Sequence, residues 1–233
     1  MNNQLTKSVD VIIATPGRQM EAPYVKSLIR TTNYLHEAGI SYYYANQYSP
    51  RVDAAREATA MDSTFLDITS NSPLGGKIKY KKIFWIDSDM EWTPMDFISI
   101  YDSPHEIVSG VYLNSEGTPM FNLHPDDTVG NENSNDQVVA KIREKLSGGK
   151  AFEISAAGFG FIAMRHGVFE AISRPWFATQ FSEIRDADGR KHVIPYGEDF
   201  SWCVAASRHG FKIHLDPNVS LTHHKTVAIK ING

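Results

Sequence analysis

Apolar positions along this 233-residue chain follow two rhythms. Short uninterrupted apolar runs alternate with longer stretches in which apolar residues recur every three or four positions. The first run, Val9-Asp10-Val11-Ile12-Ile13-Ala14, reads as a strand broken by Thr15-Pro16-Gly17-Arg18. Met20, Tyr24, Val25, Leu28, Ile29 and Leu35 then form one stripe, which predicts a helix from Glu21 to Ala38. Pro23 suits an early helical position and Gly39 suits its stop. Ile40 to Ala45 reads as a second strand and Val52 to Met61 as a second helix. Ile83-Phe84-Trp85-Ile86 reads as a buried strand stopping at Asp87. This β-α-β-α-β alternation predicts an α/β domain with a mostly parallel mixed sheet flanked by helices.

Beyond Asp89 the signals continue. Thr93 is a predicted N-cap, Pro94 suits the first helical position, and Asp96 stands three residues after the cap. Ile107 to Leu113 reads as a strand. Asn114 to Asp136 is rich in Asn, Asp, Gly, Pro and Ser and reads as one long loop. A polar helix is expected over Gln137 to Leu146. We expect the whole of 114–150 to be a flexible excursion from one domain spanning 1–233. Phe152 to Met164 reads as strand, Val168 to Ser173 as the start of a helix, and Asp186 to Arg190 as an exposed charged turn. Glu198 to His209 reads as a helix ending at Gly210, then strand Phe211 to Leu215, a turn at Asp216-Pro217-Asn218, and strand Val219 to His223.

Composition narrows the class. A net charge of −4 argues against a general nucleic-acid binder. One cysteine, Cys203, excludes an internal disulfide framework and suits a reducing compartment. No apolar run reaches the roughly 18 residues of a membrane span, and Met1 to Ser8 lacks the apolar core of a signal peptide. The expectation is a cytoplasmic enzyme with no transmembrane segment.

Five places carry candidate chemistry. Asp87-Ser88-Asp89 follows a buried strand, and ligands of open α/β sheets bind beyond the carboxyl ends of the strands. Paired carboxylates there are costly without a cation, and a divalent metal carrying a diphosphate is the economical explanation. The plain alternative is a solvated turn before the next helix. Arg56 can clamp phosphate oxygens, with Arg18 and Arg51 competing for that role. Glu198 and Asp199 open a helix, as caps or as a general base. His223 and His224 alternate on a strand, so one of them can join a metal site. Gly158-Phe159-Gly160 admits close backbone approach, as a sugar-binding wall or as a bulge.

In this order the motifs resemble the GT-A-type glycosyltransferases, family 2-like, a single Rossmann-like nucleotide-sugar domain with a metal-binding Asp-x-Asp. The resemblance spans about Val9 to Lys225. Ala55-Arg56-Glu57 is similar to that family's Ala-Arg-Asn segment, with Glu57 in place of Asn. Gly197-Glu198-Asp199 is similar to its acceptor-side acids, and Gly210 to His223 to its closing pattern. The resemblance implies Mn²⁺ or Mg²⁺ held by Asp87, Asp89 and His223, and a nucleotide-sugar donor, UDP-sugar favoured. Thr15, Pro16, Arg18, Arg56, Asp87, Ser88 and Gly158 would bind that donor. Asp199, with Glu198, would serve catalysis. If the reaction inverts the anomeric centre, Asp199 would accept the acceptor's proton; if it retains, Asp199 would position a substrate. The acceptor would be a glycan, lipid or protein hydroxyl, the 114–150 excursion a lid, and Trp176 and Phe177 either acceptor-stacking rings or core. Two rival readings are a non-catalytic carbohydrate-binding module and a sugar nucleotidyltransferase.

Overall fold

The computed structural model describes residues 7–63, 70–123, 135–185 and 188–225. In chain order its elements are β1 (Lys7–Ser8), β2 (Val11–Pro16), α1 (Ala22–Glu37), β3 (Tyr42–Gln47), α2 (Val52–Met61), β4 (Ile78–Lys79), β5 (Lys82–Ile86), β6 (Met90–Glu91) and α3 (Pro94–Asp102). There follow β7 (Ile107–Val111), β8 (Phe121–Asn122), α4 (Asn135–Ser147), β9 (Phe152–Ile154), β10 (Ala156–Ala157) and β11 (Phe161–Arg165). The last described elements are α5 (Val168–Ala171), β12 (Phe181–Arg185), β13 (Lys191–Pro195), α6 (Glu198–Arg208), β14 (Ile213–Ser220) and β15 (Thr222–His223).

The core sheet runs β3-β2-β5-β11-β7-β14-β9. β3, β2 and β5 are parallel to one another, as are β7 and β14. β11 enters between them antiparallel to both β5 and β7, and β9 closes the edge antiparallel to β14. Both faces of this sheet are covered. Val11, Ile13, Phe84, Ile86, Phe161 and Ala163 face one apolar layer with Tyr24 and Leu35 of α1 and Phe97 and Ile100 of α3. Ile12, Ala14, Ile83, Trp85, Ile162 and Met164 face the other, with Ala60 of α2, Phe169 of α5 and Trp202 and Ala206 of α6. Burial on both faces explains why these strands read as continuous apolar runs.

Several local expectations hold. The α3 cap is a full capping box, with Thr93 and Asp96 reciprocally bonded. Others change. Phe152 to Met164 is three short strands, because the chain turns at 158–160 between β10 and β11. The Asp216-Pro217-Asn218 turn is instead an irregularity inside β14, whose register against β7 shifts between Leu215 and Ser220. The 114–136 loop contains β8, which pairs with β10, and a tight turn held by the Asn114 side chain. Its remainder, 124–134, lies outside the described residues. β12 and β13 pair as a hairpin that periodicity did not reveal; of the turn expected between them at 186–190, residues 186 and 187 lie outside the described residues. Trp176 and Phe177 are core residues, 2% and 1% exposed, with the Trp176 indole donating to the Phe169 and Ile172 carbonyls.

Candidate functional site

A cavity of about 300 Å³ opens beyond the carboxyl ends of β2 and β5. Pro16 and Gly17 form one wall, Tyr48, Ser49 and Pro50 the rim, and Val52, Ala55 and Arg56 of α2 a second wall. Asp87, Ser88 and Asp89 form its floor, and His223 and Lys225 close the far side. The loop after β2 is fixed by the Asn46 amide, which donates to the Thr15 and Gly17 carbonyls at 2.6 and 3.0 Å. Gly17 has φ +137°, and a Cβ there would meet the Ser88 Oγ at 3.1 Å, so the loop lies close against the acidic motif.

The acidic motif is a turn. Asp87 N–H donates to the Gly160 carbonyl and Met90 N–H returns to the Asp87 carbonyl, each at 3.1 Å. The two carboxylates therefore have different partners within one cavity. Asp87 pairs with Arg56 Nη2 at 3.1 Å, and Glu198 Oε1 accepts from Arg56 Nε at 3.0 Å. Arg56 lies over the Phe159 ring, 5.2 Å from its centroid. It is 3% exposed, and its Nη1 has no partner among the described residues. Burial opposes the guanidinium charge, but Asp87, Glu198 and Asp199 outweigh it and raise its pKa.

Asp89 sits between two basic groups. His223 Nε2 lies 3.3 Å from its Oδ1 and Lys225 Nζ donates to its Oδ2 at 2.6 Å. Burial works against the Asp89 charge, but the His223 and Lys225 hydrogen bonds prevail and hold its pKa at about 2. Pairing of β15 with β6 creates this contact by setting His223 opposite Met90. His224 turns the other way, its Nε2 2.8 Å from Glu91 Oε2, while its N–H donates to the Asp89 carbonyl. The geometry thus places His223, and not His224, beside the acidic motif.

Nδ1 of His223 lies 2.9 Å from the Leu113 carbonyl, which can only accept, so Nδ1 carries the proton. The other nitrogen then faces a carboxylate oxygen. That arrangement is favourable if the ring is protonated, and the Asp89 contact does raise the His223 pKa. It is also favourable if a cation sits between them. Two ligands about 2.1 Å from one ion at a right angle are about 3 Å apart, close to the spacing seen. Asp89 and His223 therefore fit a divalent ion. Asp87 is turned to Arg56. Among the described residues no group of three or more His, Cys, Asp or Glu side chains has metal-holding geometry. A two-ligand site suits an ion that keeps water and substrate oxygens as its remaining ligands.

Asp199 and Glu198 are not on the cavity wall; they connect to it through Arg56 and Asp87. Asp199 Oδ1 accepts from the Phe200 N–H at 2.7 Å. Burial, then the neighbouring Glu198 charge, raises the Asp199 pKa above its ordinary value. Gly158 borders this carboxylate, but its bare face is filled from inside. A Cβ at Gly158 would lie 2.3 Å from the Tyr112 hydroxyl and 3.4 Å from Asp199 Oδ2. The glycine admits Tyr112, so it does not present an open sugar-binding wall.

Two further sequence candidates stand back from the cavity. Thr15 is fully buried and its hydroxyl bonds to that of Tyr24. Arg18 is exposed outside the cavity lining, 5.9 Å from the ring centroid of Tyr48. The sequence reading passed over Tyr48, Tyr112 and Lys225. Lys225 carried a usable signal, because it lies two residues after His223 and so shares its side of an extended chain. Tyr48 and Tyr112 carried none.

No family model matches the chain, and no curated protein matches it in sequence. Solved structures with a similar chain path include A197 from STIV, at 16% identity over 97% of this chain and 98% of that one, TM-score 0.48. The catalytic domain of Drosophila β1,4-galactosyltransferase 7 with xylobiose is 10% identical over 94% and 71%, TM-score 0.48. GalNAc-T7 with UDP, GalNAc and Mn²⁺ is 12% identical over 93% of this chain and 43% of that one, TM-score 0.47.

Proposed function

We propose that this protein is a glycosyltransferase that moves a sugar from a nucleoside-diphosphate sugar, a UDP-sugar first, to an acceptor hydroxyl with the help of Mn²⁺ or Mg²⁺. The observation that carries this reading is the position of Asp89 and His223. They stand 3.3 Å apart where the floor meets the far side of a cavity beyond the carboxyl end of a buried strand. The motif resemblance in the sequence, which includes these two residues among others, points the same way.

When bound, a divalent cation supplies Lewis-acid neutralisation of the charge growing on a leaving diphosphate. Asp89 and His223 would hold it. Pro16, Gly17 and Tyr48 give the cavity an apolar end suited to a nucleoside. Arg56 fixes Asp87 and Glu198 in direction, so Asp87 can accept hydrogen bonds from donor hydroxyls. Asp199, with its raised affinity for a proton, suits acceptance of the proton released by the acceptor hydroxyl in an inverting reaction. In a retaining reaction the same carboxylate would position the acceptor. Positioning contributes more than basicity in either case.

The test is a donor-hydrolysis and transfer screen across UDP- and GDP-sugars with added Mn²⁺, paired with thermal melts. A ligand at about 100 times its Kd stabilises by about 2.7 kcal/mol. We expect a rise in melting temperature with UDP, a larger one with UDP and Mn²⁺, and release of nucleoside diphosphate. Sugar-dependent stabilisation that ignores nucleotide and metal would assign a carbohydrate-binding module instead. Release of pyrophosphate from a nucleoside triphosphate would assign a nucleotidyltransferase.

A further inference from the structure

Resting on that reading, we propose that Lys225 is an intramolecular competitor for the metal: its ammonium and a divalent cation occupy Asp89 alternately. Three features of the geometry point to this. Lys225 donates to Asp89 Oδ2 at 2.6 Å while His223 faces Oδ1 at 3.3 Å, so both oxygens of the carboxylate are engaged by this chain's own groups. The lysine lines the same cavity as Asp87 and Arg56, so its charge lies where a metal–diphosphate would bind. It is also anchored close by. β15 pairs with β6, His224 N–H donates to the Asp89 carbonyl, and His224 bonds Glu91, all within two residues of Lys225. A tethered amine competes at a high effective concentration, whereas a metal ion must come from solution.

The contact is strong enough to matter and weak enough to yield. The Lys225 side chain is 43% exposed and that of Asp89 26%, so solvent screens the pair. An exposed pair of about 1 kcal/mol lowers metal affinity about fivefold, at about 1.4 kcal/mol per tenfold. A divalent ion that also gains His223 and the ligand's phosphate oxygens can overcome that handicap, whereas a stray ion alone is resisted.

Mn²⁺ alone is titrated by calorimetry into the wild-type chain, Lys225→Met, Lys225→Arg and Asp89→Asn, each checked for native melting. Lys225→Met is expected to bind Mn²⁺ about fivefold more tightly than wild type. Lys225→Arg should stay near wild type and Asp89→Asn should lose binding. Equal or weaker Mn²⁺ affinity in Lys225→Met, with Asp89→Asn still deficient, overturns the competition while leaving the metal site standing. If neither wild type nor Lys225→Met takes up Mn²⁺, even with UDP present, the metal-assisted reading itself falls, and the competition with it. The two failures are therefore distinct.

Discussion

Arg56→Met tests the charge arrangement most directly. Arg56 is 3% exposed and is shared between Asp87 at 3.1 Å and Glu198 at 3.0 Å, with Asp199 close enough to raise its pKa. Methionine keeps most of the length and the contact with Phe159 but leaves the carboxylates without their common cation. Removing one member of a buried ion pair costs about 3–5 kcal/mol. The Asp87 side chain is 29% exposed and that of Glu198 13%, so water relieves part of the burden and the lower end, about 3 kcal/mol, is expected. With a urea m-value of about 3 kcal/mol/M, the midpoint should fall by about 1 M with no change in slope. The sign with pH follows from the same charges. Asp199, whose pKa burial already raises, loses the opposing influence of Arg56 and binds a proton more readily, so the deficit should shrink as pH falls from about 7 toward about 5. The double variant Arg56→Met/Glu198→Gln should recover about 1 kcal/mol or more, because one uncompensated charge is gone. A loss under about 1 kcal/mol at neutral pH, or no recovery in the double variant, refutes the idea that Arg56 neutralises this cluster.

Other expectations concern neighbouring groups. In Gly160→Ala the new Cβ would lie 2.6 Å from Tyr112 Cζ; with Tyr112 only 4% exposed, overpacking should cost about 2 kcal/mol and lower the melting temperature by about 4–8 °C. Asp199→Asn should stabilise the fold while abolishing transfer. Burial raises the folded-state pKa of Asp199, so the carboxylate penalises the native state increasingly as pH rises above the ordinary value of 3.8. The melting-temperature gap between variant and wild type should therefore widen with pH and vanish in acid. His223→Ala should weaken Mn²⁺-dependent UDP binding by about tenfold or more, whereas His224→Ala, on Glu91, should change it by less than about threefold. Equal losses from both, measured by calorimetry, would refute the assignment of His223 to the site.

The order of elements was written in the chain. A periodic apolar stripe marked α1 almost to the residue, α2 was expected at the bounds it has, and the Thr93-Pro94-Asp96 cap marked α3, because helix amphipathicity and capping depend on residues within one or two turns. Doubly buried strands announced themselves as apolar runs for a similarly local reason. The acidic motif at the end of β5 was readable because it interrupts such a run. What the sequence could not state was who meets whom. The antiparallel entry of β11 between β5 and β7, and the turn at 158–160 that allows it, depend on pairings between residues about 50 to 80 positions apart. The same is true of the site. Arg56 meets Glu198 across 142 residues, and Lys225 meets Asp89 across 136. Tyr112 fills the space that Gly158 and Gly160 leave, the first of them beside Asp199. Local chemistry selects each element, but charges and surfaces distant along the chain find one another only when the sheet closes. That closure gave Asp87 an arginine and Asp89 a histidine and a lysine.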